Sequence, residues 1–220
     1  MLTDKEGNRL VTADVMKQLD EDTIANHGMP SLVLMERAAL AAVETLREEE
    51  FDLTRVVAVC GPGNNGGDGI AVARMLHIAG HDATVVFVGD LYKRSEETIS
   101  QWNTAESYGV EIVEQKDAAQ RGLYAEATTI IDAIFGVGGG RAPDYDFLDA
   151  IRMMNRAGVS GAEILAIDMP SGVSADTGEA GGEAVSADVT VTFAYKKVGH
   201  TILPGSELSG DVVVKDIGIY

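Results

Sequence analysis

Cysteine occurs once in this sequence, at Cys60, so no intramolecular disulfide can staple the chain, and a lone thiol fits a reducing compartment. Basic residues are scarce. Seventeen Lys plus Arg against 35 Asp plus Glu leave a net charge of −18, and nucleic-acid binding depends on Lys and Arg displacing counterions from phosphates, so general binding to nucleic acid is disfavoured. No apolar run approaches the roughly 18 residues needed to cross a bilayer. The polar opening MLTDKEGNRLVTADVMKQLDED lacks the apolar stretch and small-residue cleavage site of a secretory signal. These absences predict a cytoplasmic protein without a membrane span. Of the histidines His27, His77, His81 and His200, only His77 and His81 have metal-ligand spacing, and Gly80 falls between them where a helix should stop. The expectation for all four is an ordinary surface position.

What remains is enough for a packed fold. At roughly 100 to 200 residues per domain, the 220 residues predict one domain spanning 1–220, with 45% hydrophobic and 24% charged residues as in globular chains. Two helices are expected first. Thr12 with Asp14 can cap a segment reaching about His27, which Gly28 and Pro30 close, and Ser31 starts a second helix. In the second, Leu32, Met35, Ala39, Ala42, Val43 and Leu46 recur near the helical period. From Arg55 onward, short β-branched runs (56–60, 84–88, 110–113, 129–133, 164–167, 189–193 and 212–214) alternate with helix-like stretches (69–79, 95–108 and 145–157). Most of these runs lack polar alternation, as expected of strands covered on both faces. The fold class is therefore α/β: a Rossmann-like three-layer αβα sandwich with a mostly parallel sheet and two N-terminal helices. Residues 178–188 (GEAGGEAVSAD) read as a flexible loop.

In such a sheet, ligands bind at the carboxyl ends of strands, which directs attention to four loops. The first, GPGNNGGDG at 61–69, follows the run ending at Cys60 and precedes a helix. Its glycines allow close backbone approach, and the helix N-terminus offers free N–H groups to an anion such as a pyrophosphate. It matches neither GxGxxG nor GxxxxGK[ST], and without the P-loop lysine a nucleotide triphosphatase is disfavoured. In the second, Asp132 lies at a strand end ahead of Gly136, Val137, Gly138, Gly139, Gly140, Arg141 and Ala142. A carboxylate buried there needs a cation, a donor or a ligand. The third, Asp168-Met-Pro-Ser-Gly172, offers an acid–base group in Asp168 and a neutral oxygen in Ser171. The fourth, Phe193-Ala-Tyr-Lys-Lys-Val-Gly199, brings Lys196 and Lys197 toward the same rim, where burial could tune a lysine pKa.

Taken together, the four ordered segments resemble the NAD(P)H-hydrate epimerase family, also called the YjeF N-terminal family, over about Val11 to Ile219. The most specific segment is the intact GPGNNGGDG. Members interconvert the R and S epimers of hydrated NADH and NADPH (NADHX and NADPHX), which carry a hydroxyl at C6 of the nicotinamide ring. A partner ADP- or ATP-dependent dehydratase, which accepts one epimer, can then repair both. The resemblance implies substrate binding by Asn64, Asn65, Gly66, Gly67 and Asp68, by the loop Gly136 to Ala142, and by Asp168. It implies catalysis by Asp168 with Lys197, the lysine four residues after Phe193, and a potassium site at Asn65, Asp132 and Ser171. It also implies a homodimer. Two-domain relatives continue into a dehydratase near the point where this chain ends. The second loop departs from the family's DALFGTGL, with Val137 in place of threonine and Gly139 in place of leucine.

The substrate's chemistry suggests a mechanism. A hydroxyl beside the ring nitrogen is a carbinolamine, so the nitrogen lone pair can expel it as water, and water returning on the other face inverts the centre. Expulsion needs a proton donor and return needs a base, roles that one carboxyl, Asp168, can alternate. Two other readings compete. Some scaffolding relatives, one of them in mRNA decapping, tend to have lost the aspartate and lysine that this chain keeps. A conventional dinucleotide oxidoreductase would carry GxGxxG and a ribose-binding acid about twenty residues on.

Overall fold

The computed structural model of the chain describes residues 2–5, 7–138 and 144–220. Its strands are β1 (Leu2–Thr3), β2 (Arg9–Val11), β3 (Arg55–Cys60), β4 (Asp82–Phe87), β5 (Glu111–Glu114), β6 (Thr129–Ala133), β7 (Glu163–Ile167), β8 (Val189–Phe193), β9 (Lys196–Lys197) and β10 (Asp211–Lys215). Its α-helices are α1 (Ala13–Ala25), α2 (Ser31–Glu48), α3 (Asn64–Ile78), α4 (Glu96–Ser107), α5 (Gln115–Arg121), α6 (Leu123–Glu126), α7 (Tyr145–Val159) and α8 (Gly205–Leu208). Seven parallel strands form the central sheet in the order β10-β8-β7-β6-β3-β4-β5.

Alternate residues of each inner strand feed two apolar layers. On β3, Val56, Ala58 and Cys60 join α2 and α3 side chains such as Leu46, Ile70 and Leu76. Val57 and Val59 point the other way, toward Tyr124 of α6 and Ile151 and Met154 of α7. Both faces of the sheet are thus covered, which is why the strand sequences read as continuous β-branched runs. The edge strands β5 and β10 are only half-buried.

Three features differ from the sequence reading. The helix after β3 starts at Asn64, so it contains most of the glycine segment that was expected to be loop. Glycine is a poor helix former, but close packing requires it here. A Cβ on Gly66 would lie 1.8 Å from the Gly61 carbonyl oxygen. Residues 178–188 are not a free loop: the Gly178 and Val185 amides donate to the Ser174 and Ser171 carbonyls at 2.9 Å each. A second small sheet, β1-β2-β9, also forms, in which β2 pairs parallel with β9 through Leu10 to Lys196 and Val11 to Lys197. Strands of two or three residues have too few positions to show a period.

Candidate active site

The strand order reverses between β3 and β6. From β3 the chain proceeds outward to β4 and β5, and from β6 it proceeds the other way to β7, β8 and β10. Loops that leave adjacent strands in opposite directions open a crevice at their carboxyl ends. A cavity of about 740 Å³ lies there, lined among others by Gly63, Asn64, Asn65, Asp68, Phe135 to Gly138 and Asp168. That size suits a small-molecule ligand. The N-terminus of α3 reaches it through Gly63, whose side chain provides no cap, and so presents amides to an anion.

Asp168 follows β7 with φ of 70°, one of two non-glycine residues with positive φ among the described residues. Its amide donates to the Val191 carbonyl at 2.7 Å, tying this turn to β8. Its carboxylate is almost enclosed. Oδ1 accepts from Lys197 Nζ and, at 3.1 Å, from Thr192 Oγ1, and Oδ2 accepts from the Val137 amide at 3.1 Å. Burial alone would raise the carboxyl pKa. The Lys197 charge and its hydrogen bond, with support from the Thr192 hydroxyl, reverse that and hold Asp168 below the usual carboxylate range.

Lys197, on β9, is fully buried. Its ammonium has three protons and three acceptors: Asp168 Oδ1, Thr192 Oγ1 at 2.7 Å and the Phe193 carbonyl at 2.8 Å. Burial pulls its pKa down and Asp168 opposes this only in part. Of the two candidate lysines, Lys197 is the one aimed at the aspartate. His200, expected at the surface, is instead buried beneath the pair at 4% exposure. Its Nδ1 accepts from the Lys197 amide and its Nε2 meets the Asp168 carbonyl, both at 3.1 Å. That arrangement fits the neutral tautomer with the proton on Nε2. Burial and then the Lys197 charge lower its pKa to about 3. His200 thus clamps the backbones of both members of the pair. The short spacing alone distinguished His77 and His81, against which Gly80 counted, while nothing local marked His200.

Asp132, at the end of β6, is wholly buried and among the described residues receives only neutral donors: Ser171 Oγ at 2.6 Å, the Ser171 amide at 2.7 Å and the Ile134 amide at 3.3 Å. Burial pushes its pKa up to about 6 against those hydrogen bonds. Asn65 Nδ2 is buried on the cavity wall with no hydrogen-bond partner among the described residues. A Cβ on Gly136 would lie 2.9 Å from Asp168 Oδ2 and 3.1 Å from Asn65 Oδ1, so this close approach requires glycine. Gly139, Gly140, Arg141 and Ala142 lie outside the described residues.

Three more carboxyls line the cavity, those of Asp14, Asp20 and Asp68. Burial, then Asp168 and Asp20, hold Asp68 of α3 well above the usual range. Asp20 of α1 is raised by burial, then by Glu21, Asp168 and Glu97. Sequence reasoning passed over Asp20. Its signal was helical spacing, since Met16 and Thr23, one turn to either side, are both buried. Cys60 sits under the first loop in full burial, which, with Asp132 and Asp68, pushes its thiol pKa up and makes it a packing residue.

Fold and site together define a Rossmann-like α/β protein with an ion-paired aspartate on a nucleotide-sized crevice. The family described as "YjeF-related protein N-terminus" matches residues 31–199, and the chain belongs to it. The NAD(P)H-hydrate epimerase of Limosilactobacillus reuteri (strain DSM 20016) is 48% identical over 215 residues, covering 97% of this chain and 98% of that protein. The protein of the same name from Weissella koreensis is 43% identical over 96% of this chain and 91% of its own. Among solved structures, yeast YNL200c has a TM-score of 0.78 at 20% identity, over 90% of this chain and 86% of that one, a likeness of fold. Among the described residues no helix is long and apolar enough to cross a membrane.

Proposed function

We propose that this protein is an isomerase that interconverts the R and S epimers of NADHX and NADPHX at C6 of the nicotinamide ring, a repair step ahead of an ADP- or ATP-dependent dehydratase. The observation that carries the reading is the Lys197–Asp168 pair opening on the cavity, in a chain 48% identical to a named NAD(P)H-hydrate epimerase. The α3 N-terminus and Asn64, Asn65, Gly66, Gly67 and Asp68 hold the dinucleotide, together with Gly136, Val137 and Gly138. Lys197 keeps Asp168 ionised, so that its carboxylate can take a proton from water adding to C6 and return it to a departing hydroxyl. Residues 1–220 act as one epimerase domain. A second copy of the chain finds an apolar surface in Leu32, Val33 and Leu40, which are 38%, 42% and 52% exposed on α2.

The test is epimer exchange on separated R and S NADHX, followed by NMR or chromatography. The expected result is interconversion well above the spontaneous rate, with no hydride passed to an acceptor. A folded protein that binds the hydrate and never exchanges its epimers would overturn the assignment.

Asn65, Asp132 and Ser171 also fit a potassium ion. All three bring oxygen, and no cation pairs with Asp132 among the described residues. There the ion would supply the charge that Asp132 lacks and would brace the loops after β3, β6 and β7. Because the folded pKa of Asp132 is raised from 3.8 to about 6, its contribution to stability is present below 3.8 and lost as pH rises through about 6. Potassium chloride in place of choline chloride should therefore raise Tm by several degrees at pH 7.5, and the increment should shrink toward pH 5. Equal Tm values in the two salts at pH 7.5 would remove the site.

A further inference from the structure

Inversion at C6 has a geometric demand that one carboxyl does not meet. The hydroxyl leaves from one face of the ring and water arrives on the other, so proton donor and acceptor are best placed on opposite faces. Asp168 approaches from the sheet floor and is tethered there by Lys197, Thr192 and the Val137 amide. Its carboxylate therefore has little freedom to travel around the ring. The α1 wall presents two others, Asp14 in its solvent-exposed first turn and the half-buried Asp20 beyond it. Ala13, Met16, Asp20 and Ile24 fall on one helical stripe that lines the cavity. The helix is fixed at its start by the Thr12 cap and by the Ala13 amide donating to Asp176 Oδ1 at 2.7 Å. Asp20 has neither a hydrogen-bond partner nor an ion-pair partner among the described residues, and the nearby Lys17 is turned to Glu21 at 3.7 Å.

We propose that Asp20 is the second acid–base group of the epimerisation, acting on the face of the nicotinamide ring opposite Asp168. The proposal rests on the epimerase reading. In one direction the C6–O bond breaks as the N1 lone pair forms the N1=C6 π bond, and the proton of Asp20 leaves with the hydroxyl as water. A second water adds to C6 from the Asp168 side, its proton passes to Asp168, and the π pair returns to N1. One water leaves, one enters, and the ring's oxidation state is unchanged; exchange with solvent then takes the proton from Asp168 and returns one to Asp20. The reverse direction exchanges the two roles. Environments that push two carboxyls apart mark an acid and a base: Lys197 holds Asp168 ionised, while Asp20 is raised by burial and then by the negative charge of its neighbour Glu21, of Asp168 and of Glu97 on α4. Lys93, the other basic residue on the cavity wall, is in no ion pair among the described residues.

The experiment measures kcat and KM for exchange in both directions, from pH 5 to 9, for wild type, Asp20→Asn and Asp20→Glu, with Tm for each. Asp20→Asn should lower kcat about 100-fold with KM within about threefold, and should remove the alkaline limb of the kcat profile. Asp20→Glu should restore a substantial part of the rate. A wild-type profile with no alkaline limb would overturn the proposal without relying on any variant to fold. So would near-normal kcat in Asp20→Asn, or a change confined to KM, because one carboxyl would then serve both faces. Failure of wild type to exchange epimers at all is a different outcome and removes the epimerase reading itself.

Discussion

Asp168→Asn is expected to lower epimer exchange by about 10³-fold or more, while hydrated dinucleotide still binds. Asparagine is the least disruptive replacement for this position. Like aspartate, it is among the few non-glycine residues that adopt the left-handed backbone at φ of 70°. Its amide oxygen can still accept from Lys197 and Thr192 in place of Oδ1. The amide nitrogen then faces the Val137 amide where a carboxylate oxygen accepted, so one hydrogen bond is lost and the loop loosens locally. What is removed outright is a group that can take and return a proton, and general acid–base catalysis of this kind contributes about 10²–10⁴-fold. Epimer exchange reads the loss, and equilibrium binding of hydrated NADH reads what is kept. Turnover within a few-fold of wild type would take Asp168 out of the reaction.

Legibility differed sharply between the sheet and the site. The seven parallel strands could be read because burial on both faces leaves continuous runs such as Val56 to Cys60, and the β6 and β8 runs match the structure residue for residue. Boundaries shifted where chain pairing, not composition, decides the end: β4 starts at Asp82 because its partner β3 starts at Arg55, directly opposite. The α3 start was hidden by glycines that local propensity disfavours in helices, of which Gly66 is required by close packing against the Gly61 backbone. At the site, Asp168 and Lys197 were visible as charged residues just after apolar strands. His200 and Thr192 were not, since neither spacing nor composition tells that β9 will pair with β2 and fold the segment 198–201 back beneath Asp168. Asp20 stood in plain view on an amphipathic stripe. Its carboxyl merely looked like one more charge in an acidic chain.

Lys197→Met should test what the buried cation does, because methionine keeps much of the side-chain length and removes only the charge and its three donors. Without the ammonium, burial acts on Asp168 unopposed except by Thr192 and the Val137 amide, and its pKa rises instead of falling. At neutral pH a large fraction of the carboxyl is then protonated and unable to act as a base. Exchange should fall by about 10²–10³-fold, and the remaining rate should climb with pH through the neutral range, where wild type has no such limb from this group. Stability should change in a linked way. In wild type the depressed Asp168 pKa contributes stability that is present above 3.8 and lost as pH falls through the folded value. In the variant the raised pKa reverses the dependence, so that stability is lost as pH rises. Leaving one member of a buried pair without its partner costs about 3–5 kcal/mol. For a chain of this size that is a Tm lower by roughly 10 °C at pH 7.5, and the gap from wild type should narrow steadily as pH is brought toward 4.5. A deficit that is the same at both pH values would mean that Lys197 supports the fold by packing alone, and a normal pH–rate profile would mean that something other than its charge keeps Asp168 ionised.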